Sequence, residues 1–161
     1  MLDLSSNSFR GPIPNASRNM TSLLVLDLSY NRLNSSSPIL EELTNLNNLK
    51  ILNLTGNQFE PKAIEHFGNF SSPSVVDNLE TLYLSHNQMD AYLPNWFYQL
   101  KNLKTLITRS THSKVQFLQL LGLLLEGIRP HFQSSEWIHS TSLRELSALE
   151  FLCVSDNKSV V

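Results

Sequence analysis

The stretch "LVLDLSYNRL", Leu24 to Leu33, decides the fold. Leucines stand on alternate residues at Leu26 and Leu28, followed by Asn31 and an apolar Leu33. Alternation of this kind is the two-residue period of a strand that buries one face. The asparagine falls where the chain must turn. Its side chain carries both an acceptor and a donor, so it can satisfy backbone groups that a turn leaves unpaired. The same arrangement recurs in "LDLSSNSF" from Leu2, "LKILNLTGNQF" from Leu49 and "LETLYLSHNQM" from Leu79. The asparagines are Asn7, Asn31, Asn57 and Asn87, spaced 24, 26 and 30 residues apart. A fifth copy closes at Asn157 in "LEFLCVSDNKS", and Leu23, Leu46, Leu49 and Leu79 stand upstream of the strands.

Periods of this length with this pattern mark a leucine-rich repeat solenoid, in which each copy is one coil that buries its leucines only by stacking on its neighbours. The expected fold is an α/β solenoid with a parallel concave sheet and an irregular or short-helical convex side. Residues 1–106 should form four to five coils. The pairs Leu26/Leu28, Leu52/Leu54 and Leu82/Leu84 should lie in the core. Asn7, Asn31, Asn57, Asn87 and Asn157 should form a ladder at successive turns.

"NSFRGPIP", Asn7 to Pro14, resembles an element of plant extracellular leucine-rich repeats, and "AYLP" at Ala91 to Pro94 is a weaker copy without the glycine. "NSSSPILEEL" and "NQFEPKAIEHF" depart further from it. The resemblance covers about residues 1–106 and 143–157. It implies a second strand and a short helical segment after each asparagine turn. It also implies a parent among receptor-like proteins and receptor kinases, a protein or peptide ligand on the concave face, a co-receptor, and a place at the plasma membrane or outside the cell. A secreted inhibitor of cell-wall-degrading enzymes would use the same repeats. A truncated or pseudogene product would have no activity of its own.

The bulk numbers narrow the alternatives. The chain has 161 residues, 41% hydrophobic and 16% charged, which suits one folded domain rather than a disordered segment. A net charge of -2 gives no basic footprint for nucleic acid. One cysteine, Cys153, rules out an internal disulfide and a polythiolate metal site. "MLDLSSNSF" has none of the features of a signal peptide, and the longest apolar run, Val115 to Leu125, is too short and too interrupted to span a membrane. His66, His86, His112, His131 and His139 share no metal-ligand spacing, and no serine lies in a nucleophile elbow. The expectation is a protein that is not an enzyme and has no cofactor, metal or catalytic residue.

Between and after the leucines, the polar strand positions should face the concave surface: Asp27, Ser29, Tyr30, Asn53, Thr55, Tyr83, Ser85 and His86. Stacked coils would set Asp27, Asn53 and Tyr83 side by side, a wall with a carboxylate, an amide and a phenol. Each of these side chains also reads as an ordinary solvated position. Cys153 takes the same outward register, and Trp96 and Phe97 fit the convex core. N-glycosylation sequons at Asn15, Asn19, Asn34 and Asn69 support export. Those at Asn53 and Asn157 coincide with strand and ladder positions.

Residues 107–142 interrupt the pattern. The phase puts ladder asparagines near 110–111 and 133–134, where the chain has Ser110, Thr111, Gln133 and Ser134. An island between repeats is one reading of the interruption. Codons for Phe132 to Ser142, displaced by one base, can be read F-N-H-L-N-G-S-I-P-P. Codons for Ser110 to Gly122, displaced by two, can be read N-S-F-Q-G-P-I-P-S-T-L-G. Synonymous codons are selected to favour the match, but each asparagine falls where the phase independently requires it. Residues 107–142 therefore read as out-of-frame repeats, with a final partial repeat over 143–161. They should be irregular or helical, with Val115 to Leu125 as a helix over the solenoid edge.

Overall fold

The computed structural model describes residues 1–13, 19–34, 43, 45–60, 63, 75–88, 100–108, 148 and 150–153. The repeats form short strands: β1 (Leu2–Asp3), β3 (Val25–Asp27), β5 (Ile51–Asn53), β6 (Thr81–Tyr83), β7 (Thr105–Ile107) and β8 (Phe151–Cys153). They pair in parallel into one six-stranded sheet of order β1-β3-β5-β6-β7-β8. The register aligns the repeats residue for residue, with Leu2, Leu26, Leu52, Leu82, Leu106 and Leu152 across the sheet. β8 pairs directly with β7, Ile107 standing opposite Cys153.

Two shorter strands, β2 (Arg10–Gly11) and β4 (Arg32–Leu33), pair in parallel just beyond the asparagine turns. They are the second strand that the "GPIP" element implied. Gly11, at φ +80, has open space around the position of an added Cβ, so it is required for its backbone angle rather than for room. A one-turn helix, α1 (Val75–Asn78), precedes β6.

The core is the interior of the coils. Leu26, Leu28, Leu52, Leu54, Leu82 and Leu84 are buried from the strands, and Leu23, Leu43, Leu46, Leu49, Leu79, Leu100 and Leu103 from the approaches to them. Tight turns set the approach spacing: Leu46 N–H donates to Leu43 O, Leu49 N–H to Leu46 O, and Leu103 N–H to Leu100 O. A leucine thus returns inward every third residue. Each buried leucine contributes roughly 1.5–3 kcal/mol relative to exposure, which offsets the ordering of short strands that would not be stable alone.

Asn31, Asn57 and Asn87 are buried and make one repeated set of bonds. Asn57 Nδ2 donates to Leu54 O and Thr55 O of its own coil and to Leu28 O of the coil before, while its Oδ1 accepts Leu33 N–H. Asn31 and Asn87 repeat this with the preceding coil through Leu4 O and Phe9 N–H, and through Leu54 O and Phe59 N–H. Asn7, in the first coil, bonds among the described residues only within it, to Leu4 O and Ser5 O, and is exposed. A second asparagine series stands before the strands, where Asn48, Asn78 and Asn102 donate to Thr21 O, Asn47 O and Asp77 O one coil back.

Asn157, Trp96, Phe97, Asn15, Asn69, and the expectations for residues 109–142 lie outside the described residues.

Candidate functional site

Three rows of side chains run across the open face of the main sheet. The register sets Val25, Ile51, Thr81 and Thr105 in one row and Asp27, Asn53, Tyr83 and Ile107 in the next, all half-buried. Bordering them is a charged row. Lys50 Nζ and Lys104 Nζ lie 2.7 Å and 2.8 Å from the two carboxylate oxygens of Glu80. The hydrogen bonds from Lys104 and then Lys50 hold the Glu80 carboxyl down at about 2, and Glu80 in turn raises the Lys104 ammonium. Glu150 extends the row, donating its backbone N–H to Lys104 O.

Asp27, Asn53 and Tyr83 are neighbours, as expected, but they differ in what they have free. Asp27 Oδ1 accepts Ser29 N–H at 2.9 Å, and its Oδ2 accepts from Asn53 Nδ2 at 3.0 Å. Asn53 Oδ1 accepts Thr55 N–H at 3.1 Å. Asp3 does the same for Ser5 N–H, which draws its carboxyl below the ordinary carboxylate value. An Asp or Asn between the two leucines therefore closes the turn at the end of the strand. These carboxylate and amide oxygens are largely occupied, whereas the Tyr83 phenol has no hydrogen-bond partner among the described residues.

Ser29 and Ser85 depart from expectation. They are only 3% and 4% exposed, because the backbone turns inward after the second leucine to reach the buried asparagine. They do not belong to the open face. Thr55 is half-buried and His86 is exposed. Asn19 and Asn34 are exposed, as glycan acceptors must be.

The residue before each ladder asparagine takes the left-handed conformation: Ser6, Tyr30 and His86 at φ 54, 53 and 55, and Gly56 at 67. Tyr30 is 59% exposed. Its ring lies across Gly56, and a Cβ there would stand 2.7 Å from Tyr30 Cδ1. Gly56 thus gives the ring a flat seat at the rim of the face, with His86 at the equivalent position one coil further on. Among the described residues no group of three or more His, Cys, Asp or Glu could hold a metal ion, and no helix is long and apolar enough to cross a membrane.

Leucine-rich repeat family models match residues 1–59 and 78–100. Receptor-like protein 31 of Arabidopsis thaliana is 36% identical over 64% of this chain, and Receptor-like protein 32 of the same plant is 35% identical over 91%. The chain belongs to the plant leucine-rich repeat proteins of receptor-like type. It spans 11% and 19% of the lengths of those two relatives. Among solved structures, that of PEPR1–AtPEP1 matches with a TM-score of 0.51 at 30% identity, over 67% of this chain and 14% of that one. The plant peptide hormone receptor RGFR1 in complex with RGF2 matches with a TM-score of 0.61 over 96% of this leucine-rich repeat chain and 20% of that one. At 24% identity, that second likeness is one of fold.

Proposed function

We propose that this leucine-rich repeat chain is a non-enzymatic recognition module from the extracellular part of a plant receptor-like protein, and that it takes a peptide or protein ligand on the concave sheet. The observation that carries this reading is the unbroken residue-for-residue register from β3 to β7. It turns single outward positions into continuous rows on which an extended ligand can lie. The free phenol of Tyr83, the apolar surfaces of Val25, Ile51 and Ile107, and the seated ring of Tyr30 are the anchors. Aromatic side chains supply contact area at small entropic cost and dominate interfaces of this kind. Asp27 and Asn53 act by shaping the strand ends. The receptor-like relatives support a cell-surface parent; the proposal adds signalling or defence as its role, a co-receptor as second partner, and glycans at Asn15, Asn19, Asn34 and Asn69.

The test is capture of ligands from a secreted plant peptide fraction on the full chain, followed by affinity measurement with single variants. Tyr83→Ala and Tyr30→Ala should each weaken a captured peptide about tenfold or more, while Asn45→Ala, at an exposed turn position outside those rows, leaves it unchanged. A captured peptide indifferent to both tyrosines would end the concave reading.

We also propose that residues 107–142 are translated out of frame from two ordinary repeats. The direct pairing of β8 with β7 supports this, since the repeat resumes in register after those residues. A transcript read across codons 104 to 145 that lacks the displaced readings would overturn it.

A further inference from the structure

The second sheet carries a feature that concave-face binding does not use. β2 and β4 pair with Arg10 directly opposite Arg32. Paired residues of a parallel sheet project to the same side, with backbones about 4.8 Å apart. Both arginines are exposed. Among the described residues neither guanidinium has an ion pair or a side-chain hydrogen bond.

The neighbouring coils show how unusual that pairing is within this molecule. The bond from Arg32 N–H to Phe9 O recurs one coil on as Gln58 N–H to Leu33 O, and again as Gln88 N–H to Phe59 O. By that repeat the facing pairs are Arg10/Arg32, Asn34/Gln58 and Glu60/Gln88, all six residues exposed. Only the first couples like charges. On the main sheet the same chain alternates its charges, Lys50, Glu80, Lys104, at 2.7–2.8 Å. Like charges directly opposite each other in a sheet are destabilising. Asn34 and Gln58, which are uncharged, separate Arg32 from Glu60 along this sheet. Among the described residues nothing offsets that repulsion, and an added anion would turn it into attraction.

We infer that Arg10 and Arg32 form an oxyanion-binding site on the second sheet, taking a sulfate, phosphate or carboxylate group of a ligand between their two guanidinium planes. Guanidinium groups suit such ligands because each offers a fixed fork of donors matched to two oxygens. The site is separate from the concave rows, so its failure would leave the recognition reading intact, and the reverse.

The test is calorimetric titration of the full, unglycosylated chain at low ionic strength with sodium sulfate, pyrophosphate and citrate. One of the three should bind saturably, and which one it is separates tetrahedral oxyanions from carboxylates. Arg10→Gln and Arg32→Gln should each weaken that binding roughly tenfold or more, the cost of losing a charge-assisted hydrogen-bonded fork. Arg32→Lys, which keeps the charge and loses the fork, should fall between. Lys50→Gln should bind as the unsubstituted chain does. Circular dichroism melting without added anion should show Arg32→Gln no less stable than the parent, which separates lost binding from lost folding. Absence of saturable binding by all three anions would overturn the inference. So would equal binding by the two arginine-to-glutamine variants, the mark of an adventitious ion only.

Discussion

A ladder asparagine is worth what its four partners are worth. Asn57 satisfies three carbonyls and one amide across two coils, three of the four bonds buried. Asn57→Ala would strand those groups, and the loss should be roughly 2–4 kcal/mol in stability. Asn7 makes two bonds within its own exposed turn, so Asn7→Ala should cost less than about 1 kcal/mol. Urea denaturation of the two variants checks the contrast. The asparagine ladder was legible in the sequence because its spacing repeats. The role of Asp27 and Asn53 was not, because an aspartate between two leucines reads equally well as a surface charge or as a turn cap. Only the distance to the amide two residues on decides. The burial of Ser29 and Ser85 was hidden for a related reason: strict strand alternation fails once the chain bends toward the asparagine. Asn48, Asn78 and Asn102 had a visible signal, an asparagine before a leucine at each strand approach, which alignment on the longer motif passed over.

Between neighbouring strands, charge does what hydrogen bonding does at the turns. Glu80 bridges Lys50 and Lys104 and so ties β5, β6 and β7 together along one border. Its carboxyl is held at about 2 against an ordinary 4.5. A depressed carboxyl contributes stability that is fully present above its unfolded value and is lost as pH falls through the folded one. The loss should therefore begin near pH 4.5 and be complete near pH 2. Glu80→Gln should be less stable than the parent at pH 6 and converge with it near pH 2, in denaturation curves taken across that range. Because the bridge is exposed, added salt should narrow the difference. Gly56 acts on the same scale. Gly56→Ala would place a methyl against the Tyr30 ring and a side chain at positive φ, so it should cost about 1–2 kcal/mol and unseat the ring. A thermal melt, with tyrosine fluorescence reporting the ring, measures both effects.

The described strands follow one another as a row of coils, and in such a solenoid each coil touches only its neighbours. Protection should follow position in the row. Amides of β5 and β6, flanked by strands on both sides, should exchange most slowly in native-state hydrogen exchange, and those of β1, with one neighbour, much faster. Equal protection across the sheet would mean that the coils unfold as one unit. The sequence carried the solenoid and its parallel sheet at this scale because every coil repeats the same physical problem and the same solution. It did not carry the ligand, because outward positions vary from coil to coil without a rule that packing enforces. The adjacency of β7 and β8 has a consequence for spacing. Each coil takes its alignment from the one beside it and keeps no count of residues from the start of the chain. Coils whose asparagines stand 24, 26 or 30 residues apart, or strands as far apart in the chain as β7 and β8, can therefore meet in the same register.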